Sequence, residues 1–175
     1  MRRIVIIGVT GSGKTTLGRN ISAKLGVPAI DLDELHWLPN WQTREDQFPQ
    51  LVEEATKGSS WVISGYYRRV QPIFWPRADM LIWLDYSFPR IFWQLLRRSV
   101  LRIINQQAIC NGNYETWRKF FSKDSIMVWF FQSCRRRRQA AKDIFSHPEQ
   151  HPHLTLLQFR HPKETKKWLE SIRHA

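Results

Sequence analysis

The stretch Gly8-Val9-Thr10-Gly11-Ser12-Gly13-Lys14-Thr15 (residues 8–15) fits the pattern GxxxxGK[ST] at every fixed position. Upstream, Arg3 to Gly8 is a β-branched apolar run without alternation, as expected for a parallel strand covered on both faces. Downstream, Leu17, Ile21 and Leu25 recur at helical spacing. Strand, glycine loop and helix therefore come in the order a phosphate-binding loop requires. Its glycines let successive backbone N–H groups face phosphate oxygens, and the helix N-terminus adds partial positive charge. Gly8, Thr10, Gly11, Ser12, Gly13, Lys14, Thr15 and Thr16 are the candidate nucleotide contacts, with Lys14 reaching the outer phosphates and the Thr15 hydroxyl on Mg²⁺. ATP and Mg²⁺ are the expected cofactors.

Four more strands follow the same logic: Val27 to Asp33, Trp61 to Gly65, Asp79 to Asp85 and Leu154 to Phe159. Thr43 to Asp46 is a plausible helix start, with Gly58 ending that helix after Lys57, and Pro162 opens a last helix through about Arg173. Asp31 and Asp33 alternate onto one side if their strand continues. Asp33 would then lie past the strand's carboxyl end, where open α/β sheets bind ligands. There a carboxylate can orient or deprotonate a hydroxyl, or hold a water of the Mg²⁺ shell. Tyr66, Arg68 and Arg69 follow the third strand and can meet a second ligand opposite the phosphate loop. Trp37 and Trp41 can stack on an acceptor base or serve as packing residues.

The 175 residues, 42% hydrophobic, suffice for one domain with one substantial core. The expected division is a core of 1–86 and 143–175 and a basic lid region of about 87–142. No stretch approaches the ~20 apolar residues of a membrane span, and Met1 to Ile7 is too brief for an export signal. With only Cys110 and Cys134 present, a cytoplasmic protein with free thiols is expected. Residues 1–86 hold ten Lys/Arg against nine Asp/Glu, whereas 87–175 hold seventeen against six. The net charge of +12 is therefore local to the second half, which implies a polyanionic partner.

In this order of parts the chain resembles the nucleoside monophosphate kinase group, which includes adenylate, shikimate and gluconate kinases. More narrowly it resembles the adenylate-kinase-related DNA topology modulation (FlaR-like) proteins. That likeness is carried by GVTGSGKTTL, LDELHWLPNW, WVISGYY, ADMLIWLDYSFPRIFWQLLRRSVLR and CNGNYETW. It implies a three-layer P-loop fold whose five-stranded parallel sheet is ordered 2-3-1-4-5, an acceptor site, and a mobile lid between two basic helices. Ser64 stands where the family commonly has an aspartate that orders Mg²⁺ water, so that role passes to Asp33 or to water alone. Asp85 imitates a Walker B acid, but the resemblance puts it after the fourth strand.

Helical phase then sorts the arginines. From Ser87 to Ile103 the stripe is Phe88, Phe92, Leu95, Leu96, Ser99 and Ile103, with Arg98 and Arg102 together on its edge. These like charges repel unless an anion lies between them, and the resemblance makes them lid arginines. Gly112, between Asn111 and Asn113, marks the lid tip within 105–122. In the second helix Met127, Phe130, Phe131, Cys134, Ala141 and Phe145 form the stripe. At 100° per residue Arg138 falls at its centre, Arg135 and Arg137 lie to either side, and Arg136 points away. Arg138 on an apolar stripe needs an anionic partner.

The expected catalytic set is Lys14, Asp33, Arg98, Arg102, Arg135 and Arg138, acting in phosphoryl transfer from ATP to a small acceptor such as a nucleoside or nucleotide. Arg138→Ala should then harm activity far more than Arg136→Ala. The alternative is a nucleic-acid-binding regulator using ATP as a switch, supported by basic residues interleaved with aromatics such as Trp117-Arg118-Lys119-Phe120-Phe121. A P-loop ATPase with an empty acceptor site is the third possibility.

Overall fold

The computed structural model describes residues 2–172. In chain order the main elements are β1 (Arg3–Gly8), α1 (Lys14–Leu25), β2 (Ala29–Asp31), α2 (Leu32–His36), α3 (Phe48–Ala55), β3 (Trp61–Ser64) and α4 (Gln71–Phe74). They continue with β4 (Met80–Leu84), α5 (Phe88–Ile104), α6 (Trp117–Phe120), α7 (Ile126–Ser146), β5 (Thr155–Phe159) and α8 (Pro162–Ser171). Among the described residues one five-stranded sheet is ordered β2-β3-β1-β4-β5, with every pairing parallel. The expected order 2-3-1-4-5 is the observed one.

The unalternating apolar run of β1 has its physical reason in the two layers that cover it. Ile4 and Ile6 join Leu17 and Ile21 of α1 and Ile91 and Leu95 of α5 in one core. Val5 and Ile7 face the other side, with Phe48, Val52, Phe74, Leu81 and Trp83. Each of these side chains is less than 6% exposed, the degree of burial that drives folding of an α/β domain. Phe130 of α7 belongs to the first core and Ala141 to the second. Helices α5 and α7, which lie within the expected lid region of about 87–142, thus together contribute to both cores.

Several boundaries differ from the sequence reading. β2 stops at Asp31 because its carboxylate accepts the Asp33 N–H at 3.0 Å and caps α2, so the chain turns helical where alternation would have carried it on. α3 starts at Phe48 because Pro49, lacking an N–H, belongs in a first turn. Asp79 lies outside β4 and pairs with Arg3 at 2.9 Å. In α5 the buried line is Ile91, Leu95, Ser99 and Ile103, while Phe88 is 40% exposed, because the helix seats Ile91 and Leu95 under the phosphate loop. α8 ends at Ser171, and the expected end at Arg173 lies outside the described residues.

That seating constrains Gly11. Its φ is +85°, and a β-carbon there would stand 2.9 Å from Leu95 Cβ. Gly11→Ala should therefore cost about 2–4 kcal/mol through backbone strain and overpacking together, read as a lowered melting temperature. An unchanged melting temperature would mean that the loop relaxes freely.

Candidate functional site

The site lies at the carboxyl ends of β1, β2 and β3. Gly13, at φ 95°, caps α1 and turns the loop onto the helix N-terminus. Lys14 folds back and donates from Nζ to the Val9 carbonyl at 3.0 Å. Burial lowers its pKa to about 8, Asp33 and Asp31 oppose that fall, and Arg137 and Arg98 add to it. Two acids and two guanidinium groups thus converge electrostatically on one ammonium.

This has a measurable consequence. Anionic phosphates would restore the full charge of Lys14, so binding them takes up protons where the free group is partly neutral, and affinity falls as pH rises through about 8. Titration of an ATP analogue at pH 8 in buffers of different ionisation heat should show uptake of about half a proton, absent in Lys14→Met. No buffer dependence would mean that Lys14 stays fully charged in the free protein.

Asp31, partly buried at the β2 end, is pushed up in pKa by desolvation and by Asp33, while the Thr15 side chain favours its ionised form. Asp31 also sits beside Ser64 in the sheet register. Asp33, one residue into the first turn of α2, accepts from the Tyr67 hydroxyl at 2.5 Å. Burial and that carboxylate hold the Tyr67 phenol far above its ordinary pKa, so Tyr67 remains a donor. His36 stands against Phe48 and Tyr67, with ring centroids 4.9 and 5.0 Å away, and burial lowers its pKa.

The arginines face different ways. Arg98 is largely buried, its charge disfavoured by desolvation and by Arg102, and its Nε has no partner. Arg102 pairs with Glu115 of the lid at 3.3 Å. Arg138 pairs with Asp85 at 2.8 Å, and Gln158 donates to the other Asp85 oxygen at 2.9 Å. The anionic partner expected for Arg138 is therefore Asp85, at the β4 end. Arg137 is the member of the run that feels Asp33: desolvation disfavours its charge, and the Asp33 carboxylate supports it. The Trp129 ring flanks it at 5.6 Å. No carboxylate lies within 4.0 Å of Arg98 or Arg137 among the described residues. Arg135, Arg136, Arg68 and Tyr66 line a separate cleft between α4 and α7. Arg69 reaches Glu45 at 4.0 Å on the surface.

The segment expected to be the lid tip is hydrogen-bonded to α2 and the loop that follows it. Ile109 and Asn113 bridge each other across Cys110, Asn111 and Gly112, all at positive φ. Asn113, 2% exposed, donates to the Leu38 and Cys110 carbonyls at 2.8 and 2.6 Å and accepts from the Trp41 N–H at 2.7 Å. Asn111 donates to the Glu34 and Trp37 carbonyls, both at 2.7 Å. Lys119 caps the Trp41 ring at 3.5 Å, and Trp41 meets Trp37 edge-on at 5.7 Å. Trp37 and Trp41 thus hold the lid and each other. Asn113→Ala strands buried partners at about 1–3 kcal/mol, so cleavage within 105–122 by a non-specific protease should accelerate about 5- to 150-fold. An unchanged rate would place the latch elsewhere.

Three residues of this arrangement escaped the sequence reading of the site: Asp31, Tyr67 and Arg137. A signal existed for two of them. Asp31-Leu32-Asp33-Glu34 has the capping spacing of a helix start. Arg137 lies in line with Ser133 and Ala141, small buried residues four positions to either side.

Residues 10–57 match the shikimate kinase family. A shikimate kinase of Bartonella quintana (strain Toulouse) is 24% identical over 176 residues, covering 99% of this chain; the chain spans 65% of the length of that relative. Among solved structures, a sugar kinase from Janibacter sp. HTCC2649 and a gluconokinase from Sinorhizobium meliloti 1021 each superpose with a TM-score of 0.50 at 17% identity, covering 97% of this chain and 91% of theirs. The fold is that of P-loop kinases. No helix among the described residues is long and apolar enough to cross a membrane.

Proposed function

We propose that this protein transfers the γ-phosphoryl group of ATP to a hydroxyl of a small acceptor, a nucleoside, nucleotide or similar metabolite. The observation that carries the reading is the phosphate loop of residues 8–15 on a fold like that of the sugar kinase and gluconokinase structures, with Lys14 buried under the influence of Asp33, Arg137, Arg98 and Asp31. Loop amides and Lys14 hold the β- and γ-phosphates. The Thr15 hydroxyl and the Asp31 carboxylate fit Mg²⁺, which takes one or two carboxylates and completes its shell with phosphate oxygens and water. When bound, that ion neutralises charge on the phosphate oxygens. Among the described residues no group of three or more His, Cys, Asp or Glu side chains could hold a metal by itself, in keeping with a cation that arrives with the nucleotide.

In the transfer, the acceptor oxygen forms a bond to the γ-phosphorus as the bond to the β–γ bridging oxygen breaks. ADP leaves with that electron pair, and the hydroxyl proton passes to Asp33. Tyr67, donating to one Asp33 oxygen, fixes the carboxylate. Arg98 and Arg137, with no carboxylate within 4.0 Å among the described residues, supply the charge that meets the equatorial oxygens. Arg102 acts through Glu115 and the lid. Closure of the lid over the bound ligands would exclude water and keep the phosphoryl group from hydrolysis.

The test is incubation with ATP and Mg²⁺ against a panel of nucleosides, nucleotides and hydroxylated metabolites. Acceptor-dependent ADP release, lost in Lys14→Ala, supports the reading; no turnover on the panel together with intact ATP binding by Lys14→Ala overturns it. A nucleic-acid-binding regulator is the second reading. It is favoured by Trp93, Trp117 and Phe121, exposed by 65, 47 and 79% in the basic half, and by the likeness to topology modulation proteins. Binding to DNA that persists at about 0.15 M salt would support it.

A further inference from the structure

A cleft of about 1220 Å³ runs between α4 and α7, beyond the phosphate loop. One wall is a single face of α7, with Gln132, Arg135, Arg136 and Gln139 at helical spacing. The opposite wall carries Arg68 and the apolar Trp75. Three guanidinium groups thus line one open cleft, and none has a carboxylate within 4.0 Å among the described residues. The acid in the lining, Asp143, accepts instead from Gln139 at 2.8 Å. Tyr66 lines the cleft, and its chain neighbour Tyr67 donates to Asp33, which places the cleft one residue along the chain from the Tyr67–Asp33 pair.

We infer that this cleft binds a phosphate group carried by the acceptor itself, remote from the hydroxyl that is phosphorylated. Planar forks on both walls suit the tetrahedral oxygens of a phosphate, and Trp75 offers an apolar surface for the body of the molecule. The identity as acceptor rests on the proposed phosphotransferase reading; the affinity of the cleft for phosphate does not.

The first experiment uses the full chain saturated with a non-hydrolysable ATP analogue and Mg²⁺, so that the phosphate loop is filled, and inorganic phosphate as the probe. Thermal shift should show saturable phosphate binding, weakened at least tenfold in Arg68→Ala/Arg135→Ala and kept in Lys14→Ala without analogue. Loss of the response on saturation with analogue, or equal binding by the double variant, overturns the inference. The second experiment compares phosphate monoesters with their dephosphorylated counterparts as acceptors. The esters should be preferred at least tenfold in kcat/KM, chiefly through KM, and the preference should vanish in the double variant. Preference for the dephosphorylated compounds overturns the inference and leaves the phosphotransferase reading standing. Failure of the wild-type protein to bind the ATP analogue would sink that reading, and phosphate binding alone then decides whether the cleft is a phosphate site.

Discussion

Asp33→Asn should lower kcat for phosphoryl transfer by about 10²–10⁴ while leaving ATP affinity within a few-fold of wild type. The amide keeps an oxygen to accept from Tyr67, so the local geometry survives and only the capacity to take a proton goes. Asp33 is exposed and carries no ion pair among the described residues, and its backbone N–H, held by Asp31, is untouched, so the melting temperature should hold. The measurement is steady-state kinetics beside calorimetric titration of an ATP analogue. A kcat within threefold of wild type would leave Asp33 a clamp for Tyr67 and put the base elsewhere. An equal loss of Mg²⁺-dependent nucleotide binding would instead make Asp33 a metal-shell residue, a role here given to Asp31.

Arg137→Ala should cost about 10²–10³ in kcat, the scale for removing one preorganised charge from a developing anion. Its stability should not fall, since the fold desolvates that guanidinium without a close carboxylate. Arg138→Ala should show the reverse. It leaves Asp85, 7% exposed, with only the Gln158 amide. Because Arg138 is itself 39% exposed, the loss is about 1–3 kcal/mol of stability, below the scale of a fully buried pair. Kinetics and melting temperatures of the two variants decide the matter. A large catalytic loss in Arg138→Ala with an intact melting temperature would restore the assignment that helical phase alone made.

These two arginines show where sequence reasoning reaches its limit. Helical phase placed Arg138 on the apolar stripe and required an anion for it. Whether that anion is a ligand or Asp85, 53 positions away, depends on where β4 ends relative to α7, and no local pattern carries that. The fold was far more legible, because burial on both faces leaves a compositional mark: Arg3 to Gly8 reads as a central strand without any partner in view. Asp31 was partly hidden for a different reason. Alternation and capping make competing claims on the same carboxylate, and its bond to the Asp33 N–H decided for capping.

The amide latch at the lid tip bears on the order of events in turnover. Asn111 and Asn113 grip the backbone from Glu34 to Trp41, the loop that follows Asp33, and Arg102 joins the same lid through Glu115. On the proposed reading, one displacement would uncover donor and acceptor sides together. On the proposed phosphotransferase reading, departure of either product waits on the same opening, so release should appear as a single kinetic phase, with its rate set by four amide contacts between lid tip and loop that touch no substrate.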